Sequence, residues 1–350
     1  MAKKKKRLPK DFRDLLEQGD LAALTAVFDS CELDARDGPG GSTALGLYGC
    51  TPELARWLVD QGAQIDADCG YGNTPASRHV STGNDALVTL LLDAGAAMDT
   101  GKETLLQRAA SSIKPSTVRL LLDRGVDPLA TGRDGDNALT IALRSCRNAA
   151  LPQMALLAEY LIDAGTPVTE DMRETVQRIG KDFEFHRAGF NPDFLAETDA
   201  ALQRLYQLFA VDAAPVRRSH NGTDPIVAKP GGWREQHQEL WEWLIPSSGA
   251  AETVQGEVIR ISGRVHIEQA ENGGGNWDAG YRKMLSALVD HLGSGEALPP
   301  ADLDRARDYA EDARGGSGSD EALAGLCELA VQWVAANPAP VILGKPAYTR

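Results

Sequence analysis

Cysteine is scarce in this chain, and none of the five present (Cys31, Cys50, Cys69, Cys146, Cys327) falls in a CxxC pair. An odd count without such spacing excludes a disulfide framework and a cysteine-rich zinc cluster, and fits a reducing compartment. Long apolar runs are missing too, so no segment reads as a membrane span. The run Lys3-Lys4-Lys5-Lys6-Arg7 lacks the apolar stretch that would make it a secretory leader. It reads as a solvated, frayed terminus, with a nuclear-localisation or phosphate-binding role as the alternative. The HExxH, GxSxG and GxxxxGK[ST] motifs are absent, which removes the usual sequence evidence for a zinc hydrolase, an α/β-hydrolase or a P-loop enzyme. Basic charge is short as well: 36 Lys and Arg against 50 Asp and Glu give a net charge of −14. That balance argues against a nucleic-acid binder working by broad phosphate neutralisation. An acidic surface suits a basic protein partner, or simply keeps a cytoplasmic protein dissolved. The expectation is a cytoplasmic chain without metal or cofactor, touching neither nucleic acid nor membrane.

What is present is a repeat. Leu58-Val59-Asp60-Gln61-Gly62-Ala63, Leu91-Leu92-Asp93-Ala94-Gly95-Ala96, Leu121-Leu122-Asp123-Arg124-Gly125-Val126 and Leu161-Ile162-Asp163-Ala164-Gly165-Thr166 share one pattern, with glycines 33, 30 and 40 residues apart. Each unit reads as helix, tight turn, helix, loop. Thr43, Thr74, Thr104 and Asn137 stand where first helices start and can cap orphan amides, and Pro75 suits a first helical position. The second helices carry stripes such as Leu87, Leu90, Leu91 and Val118, Leu121, Leu122 at helical spacing. The closing glycines belong where a helix ends in the left-handed conformation. A lone hairpin cannot cover its stripe, so the units must stack into one elongated core. Asp11–Ser30 reads as a degenerate first unit, and Asp34-Ala35-Arg36-Asp37-Gly38 as the loop after it.

These residues resemble the ankyrin-repeat family, although the Thr-Pro-Leu-His-x-Ala motif is nowhere intact and its histidine is missing in every unit. The fourth interval is lengthened around Arg144–Pro152. The resemblance implies a stack whose loop tips and concave helix face grip another protein. Tyr71, Asn73, Lys102, Arg133 and Asp134 then fall on the tips, although any one of them taken alone reads first as an ordinary solvated turn residue.

Beyond residue 168 the period stops, and five of the six tryptophans follow it. The expected layout is a basic disordered segment 1–10, about five repeats over 11–168, a helical pair over 169–212 closing the stack, a linker over 213–232 and a helical domain over 233–350. The fold class is therefore mainly α, a helical solenoid followed by a helical domain. Within that domain Trp233–Leu244, Glu252–Glu268 and a helix capped by Asp278 are expected. Gly256 and Gly263 share a face that would admit a neighbouring backbone. Glu257, Arg260, Arg264 and Glu268 form another face, expected to carry exposed pairs worth ~0.2–0.5 kcal/mol each. Asn272–Asp278 includes three consecutive glycines, which make either a turn or an anion cradle. Thr253–Arg260 and Asn272–Asp278 also resemble a domain appended to ankyrin repeats in bacterial proteins, including immunity-type proteins.

The leading expectation is a non-enzymatic module, acting as a monomer or heterodimer, that sequesters a protein such as a toxin through the repeat surface and Trp277. The alternative is an enzyme whose site is drawn from a polar set in the second half: His237, Glu257, Arg260, Arg264, Asn276 and Asp278. In that case His237, Glu257, Arg260 and Asn276 must converge, and the repeats recruit substrate. A scaffold with no toxin link remains a third reading.

Overall fold

A computed structural model describes residues 3–100, 103–132, 134–348 and 350. Its contacts divide the chain into two units, one of residues 1–182 with 191–214 and the other of 183–190 with 215–350.

The first unit opens with strand β1 (Lys5–Arg7), which pairs in parallel with β2 (Cys31–Arg36). Helices α1 (Phe12–Gln18) and α2 (Leu21–Ser30) form the intervening hairpin. This corrects two expectations: the basic segment is ordered from Lys5, and the loop expected at Asp34 is mostly strand. The cause is local. Leu8 is buried and its amide donates to the Arg36 carbonyl, while the Lys4 ammonium donates to the Phe28 carbonyl at 2.6 Å.

The repeats follow. A short 3-10 turn (Ala44–Gly46) precedes α3 (Pro52–Asp60). Then come the hairpins α4 (Pro75–Thr82) with α5 (Asp85–Asp93), α6 (Leu105–Ser111) with α7 (Pro115–Asp123), and α8 (Ala138–Ser145) with α9 (Leu151–Asp163). The lengthened interval is a 3-10 turn, Asn148–Ala150, between the last two helices. Gly62, Gly95, Gly125 and Gly165 have φ of 90°, 96°, 79° and 99°. After each, an amide closes on the carbonyl five residues back (Ala63 on Leu58, Ala96 on Leu91, Val126 on Leu121, Thr166 on Leu161) at 2.9–3.2 Å. This is the Schellman ending, which satisfies carbonyls the helix would otherwise leave open.

The first helices begin as their caps require. Thr74 pairs reciprocally with Ser77, and Thr104 with Gln107. Buried Gln107 also explains how a unit dispenses with the family histidine: its amide nitrogen donates to the Ala130 and Asp136 carbonyls of the next loop. Aspartates repeat the tie between units, Asp34 accepting the Gln64 amide and Asp66 the Ala97 amide. Leu54, Leu58, Leu87, Leu91, Leu121 and Leu161 are fully buried along one continuous seam. The helical pair expected next is α10 (Glu170–His186) and α11 (Pro192–Phe209). Helix α11 packs on α9 and is tied to it by an Arg204–Glu159 ion pair.

The second unit contains α12 (Trp233–Leu244), α13 (Val254–His266), α14 (Ala279–Leu292), α15 (Pro300–Ala313) and α16 (Asp320–Ala336). Helix α16 is the axis, touching the other four and burying Leu323, Leu326, Leu329, Ala330 and Trp333. Close approach at the helix glycines is by side chains and not by backbone: a Cβ on Gly256 would lie 2.8 Å from the Ala251 methyl. A Cβ on Gly263 would lie 2.5 Å from the Trp241 ring, and one on Gly325 2.3 Å from the Tyr309 ring. The segment expected as a linker has no helix or strand from Val211 to Gly232, yet it is fastened down. The Arg217 guanidinium donates to the Phe185, Glu242 and Ile245 carbonyls, and buried Ile226 pairs with Pro338. No described helix is long and apolar enough to cross a membrane.

Candidate functional site

Two surfaces emerge from the residues the sequence singled out. On the repeats, Tyr71 sits at the tip of the turn before α4, 96% exposed, with φ +56°. An exposed tyrosine held in the left-handed region is uncommon and has a backbone cost. Asn73 is half-buried: its amide nitrogen donates to Gly70 at 2.8 Å, and its carbonyl oxygen accepts from Arg108 of the next unit at 3.1 Å. Asp134 is exposed on its loop, while Lys102 and Arg133 lie outside the described residues.

The sequence reading missed three residues beside these. Tyr48 is 58% exposed with the Arg78 guanidinium 4.7 Å above its ring, and Arg78 is held by the Gly46 carbonyl. Arg108, paired with Glu103, occupies the same place in its helix as Arg78: each follows its capping threonine by four residues. That shared offset was the available signal.

The second surface centres on α13. Glu257 is 0% and Arg260 1% exposed, so the pair expected on a solvated face is buried. Arg260 donates twice to the Glu257 carboxylate, at 2.7 and 2.8 Å, in the forked geometry its guanidinium favours. The Ala251 amide (2.9 Å) and the Tyr348 hydroxyl (2.8 Å) complete the carboxylate's shell, and the remaining Arg260 nitrogen donates to the Arg350 carbonyl at 2.7 Å. Burial alone would raise the Glu257 pKa, but Arg260, the Ala251 amide and Tyr348 together hold it below its usual value. The same burial and the facing carboxylate push Tyr348 up. Tyr348 and Arg350 are what make burial of the pair tolerable, since a buried charge needs every partner it can find.

Arg350 carries the network onward. Its side chain binds Asp278 at 2.6 Å and the Asn276 carbonyl at 3.2 Å, and lies over the Tyr281 ring. The Arg350 side chain holds the Asp278 carboxyl below its usual range. Asp278 also caps α14 through the Gly280 and Tyr281 amides. The structure thus brings Glu257, Arg260, Asn276 and Asp278 together, but through a filled network of internal bonds. Arg264 is half-buried on the same helix, and its side chain makes no hydrogen bond or ion pair among the described residues.

The glycine loop does cradle an anion, and that anion is the chain's own Glu268. A π-helical turn, Ile267–Glu271, rotates Glu268 inward, where it accepts from the Asn276 amide and from the side chains of Asn272 and Asn276. The Asn276 amide foremost keeps its pKa down. Gly274 packs against the Gly316 carbonyl, where a Cβ would be 2.3 Å away. Trp277 is turned inward: its indole donates to Arg314 at 3.0 Å and stacks on Tyr281 with centroids 4.9 Å apart.

His237 lies elsewhere. It meets Ser262 at 2.9 Å beside Gly263, ~140° and ~240° around the helix from Glu257 at 100° per residue. The Ser262 hydroxyl also lies 3.1 Å from the Ile259 carbonyl, to which it can donate. Burial, helped by nearby His266, lowers the His237 pKa to about 4. Of the four groups required by the catalytic alternative, Glu257, Arg260 and Asn276 therefore share one network, and His237, on α12, meets the opposite side of α13. Among the described residues no group of His, Cys, Asp and Glu is arranged to hold a metal ion. All five cysteines are buried thiols, with burial pushing Cys50 and Cys327 up to about 12.

Comparison with known proteins agrees with the first unit. The family description for ankyrin repeats matches residues 43–132, in three copies. A crystal structure of an ankyrin repeat domain from Acinetobacter baumannii AYE is 21% identical, covering 55% of this chain and 96% of that one, with a TM-score of 0.39. No curated protein matches the chain. The chain is thus a mainly α protein with ankyrin repeats, which as a class form protein-interaction modules, followed by a helical region.

Proposed function

We propose that the chain is a non-enzymatic protein-binding module that holds its partner on the loop-tip face of the repeats. The observation that carries this reading is a pair of exposed tyrosines beside fixed arginines on neighbouring units: Tyr48 under Arg78, and Tyr71 two residues before Asn73, which Arg108 holds. Two exposed tyrosines and two arginines, the arginines held by the Gly46 carbonyl and the Asn73 side chain, have the composition of a binding hot spot. Asn73 holds Arg108 in place, and Asp134 is exposed on a later loop. The finer proposal is an inhibitor of the immunity type, cytoplasmic, forming a heterodimer with a cognate toxin. It is supported by the resemblance of Thr253–Arg260 and Asn272–Asp278 to the domain found in such proteins, and by an acidic charge suited to a basic partner.

The test is co-purification of the full chain with the product of the adjacent gene, followed by titration of single variants. Tyr71→Ala and Tyr48→Ala are each expected to weaken the complex by ~2 kcal/mol, about thirtyfold. A stable complex indifferent to both would place the binding surface elsewhere.

A further inference from the structure

The second unit contains a groove that this reading does not use. It is a cavity of about 710 Å³, open on one side, between α14 and the non-helical segment Leu343–Tyr348. Ala279, Ala287, Leu343 and Pro346 form an apolar floor, and Arg282, Lys283, Arg314 and Lys345 stand around it with a single carboxylate, Asp290. Arg282, Lys283 and Lys345 are exposed and make no ion pair among the described residues. Arg314 is paired with Glu311 at 3.9 Å, which leaves three unpaired cations facing one acid, the reverse of the chain's net charge of −14. Unpaired like charges repel one another, so clustering them around one hollow is unfavourable without an anionic occupant.

We propose that this groove binds an acidic, extended peptide segment of a partner protein. The spread of the cations favours a run of carboxylates over one compact anion. They come from three separate stretches of chain, and Arg282 and Lys283 are adjacent on the helix, ~100° apart around its axis, so they do not converge as a phosphate cradle does. The second wall supplies backbone recognition. The Gly344, Lys345 and Ala347 amides, all on exposed residues, have no hydrogen-bond acceptor among the described residues. An extended peptide laid along them pairs main chain to main chain, as in strand addition. Its carboxylates then reach Arg282, Lys283 and Lys345, while apolar side chains between them meet the floor. This surface is distinct from the repeat patch, and neither proposal depends on the other.

The test uses the full chain and fluorescence anisotropy of a short labelled peptide alternating glutamate with leucine. Its glutamine counterpart serves as the second probe, and inorganic phosphate as competitor. The glutamate peptide is expected to bind, the glutamine peptide at least about tenfold more weakly, and Arg282→Glu with Lys283→Glu to lose about tenfold. Arg178→Glu with Lys181→Glu, an equal charge change on exposed sites of α10, is expected to leave binding unaltered; circular dichroism checks that both variants fold. Equal loss from the two double variants would show non-specific charge attraction and overturn the proposal. So would equal binding of the glutamine peptide, or displacement by millimolar phosphate.

Discussion

The two units satisfy their buried polar groups in opposite ways. In the repeats each solution is local and is used again: a threonine or asparagine caps a helix, a glycine ends one, and an aspartate ties one loop to the next. In the second unit the solution occurs once and spans great sequence distance, with Glu257 and Arg260 completed by residues 91 and 90 positions away. Repetition spreads stability over many small equivalent terms. A single buried network concentrates it, so one lost partner exposes an unpaired charge to a low dielectric.

The comparison breaks most readily at Glu257. Glu257→Ala strands Arg260 and is expected to cost ~3–5 kcal/mol. Urea titration read by tryptophan fluorescence will follow the second unit, where five of the six tryptophans lie, and an unmoved midpoint would refute the network's role. Leu121→Ala in the repeat seam is expected to cost ~2–5 kcal/mol, lowering the helix signal in circular dichroism before the main tryptophan transition. Coincident shifts of both probes would mean that the units unfold together.

A third prediction uses pH. His237 titrates at about 4 in the folded chain against 6.5 when free, so its neutral form is favoured by folding. Stability from this source is complete above pH 6.5 and falls as pH drops toward 4, by up to ~3 kcal/mol. Glu257 has a lowered pKa, so its contribution is lost only at more acidic pH, below the ordinary glutamate value. His237→Gln should reduce the slope of the upper window, leaving the part due to His79 and His291, whose pKa values burial also lowers, and should leave the lower window unchanged; an undiminished slope would refute the assignment to His237. The smallest effect is expected at Ile113, a β-branched residue at φ +49° where the preceding unit has Gly83 at +73°. Ile113→Gly should relieve left-handed strain and raise stability by up to ~1 kcal/mol, seen as a small increase in the repeat unit's melting temperature.

The same contrast explains what could be read from the sequence. The apolar pair, aspartate and glycine that end each unit, Thr74, Thr104 and Asn137 as caps, and Asp278 at the start of α14 are signals within four or five residues, and each appears where its chemistry requires. The fate of Glu257 and Arg260 was hidden, because an (i, i+3) pair looks alike whether solvated or buried, and only Tyr348 and Arg350 decide between them. Trp277 was legible as an anchor but not as one directed inward, since Gly316, its seat, lies in a loop with no pattern of its own. Tyr48 carried no signal apart from Arg78, whose offset from its threonine recurs at Arg108.

The bond from Arg260 to Arg350 has a consequence for biosynthesis. A ribosome releases the repeats long before it reaches residue 348, and their short-range hairpins can consolidate as they emerge. Helix α13 must wait, its carboxylate and guanidinium wet, until nearly ninety further residues have been translated. Premature termination within that stretch should therefore yield a competent first unit trailing a molten second one, a species that proteases would recognise.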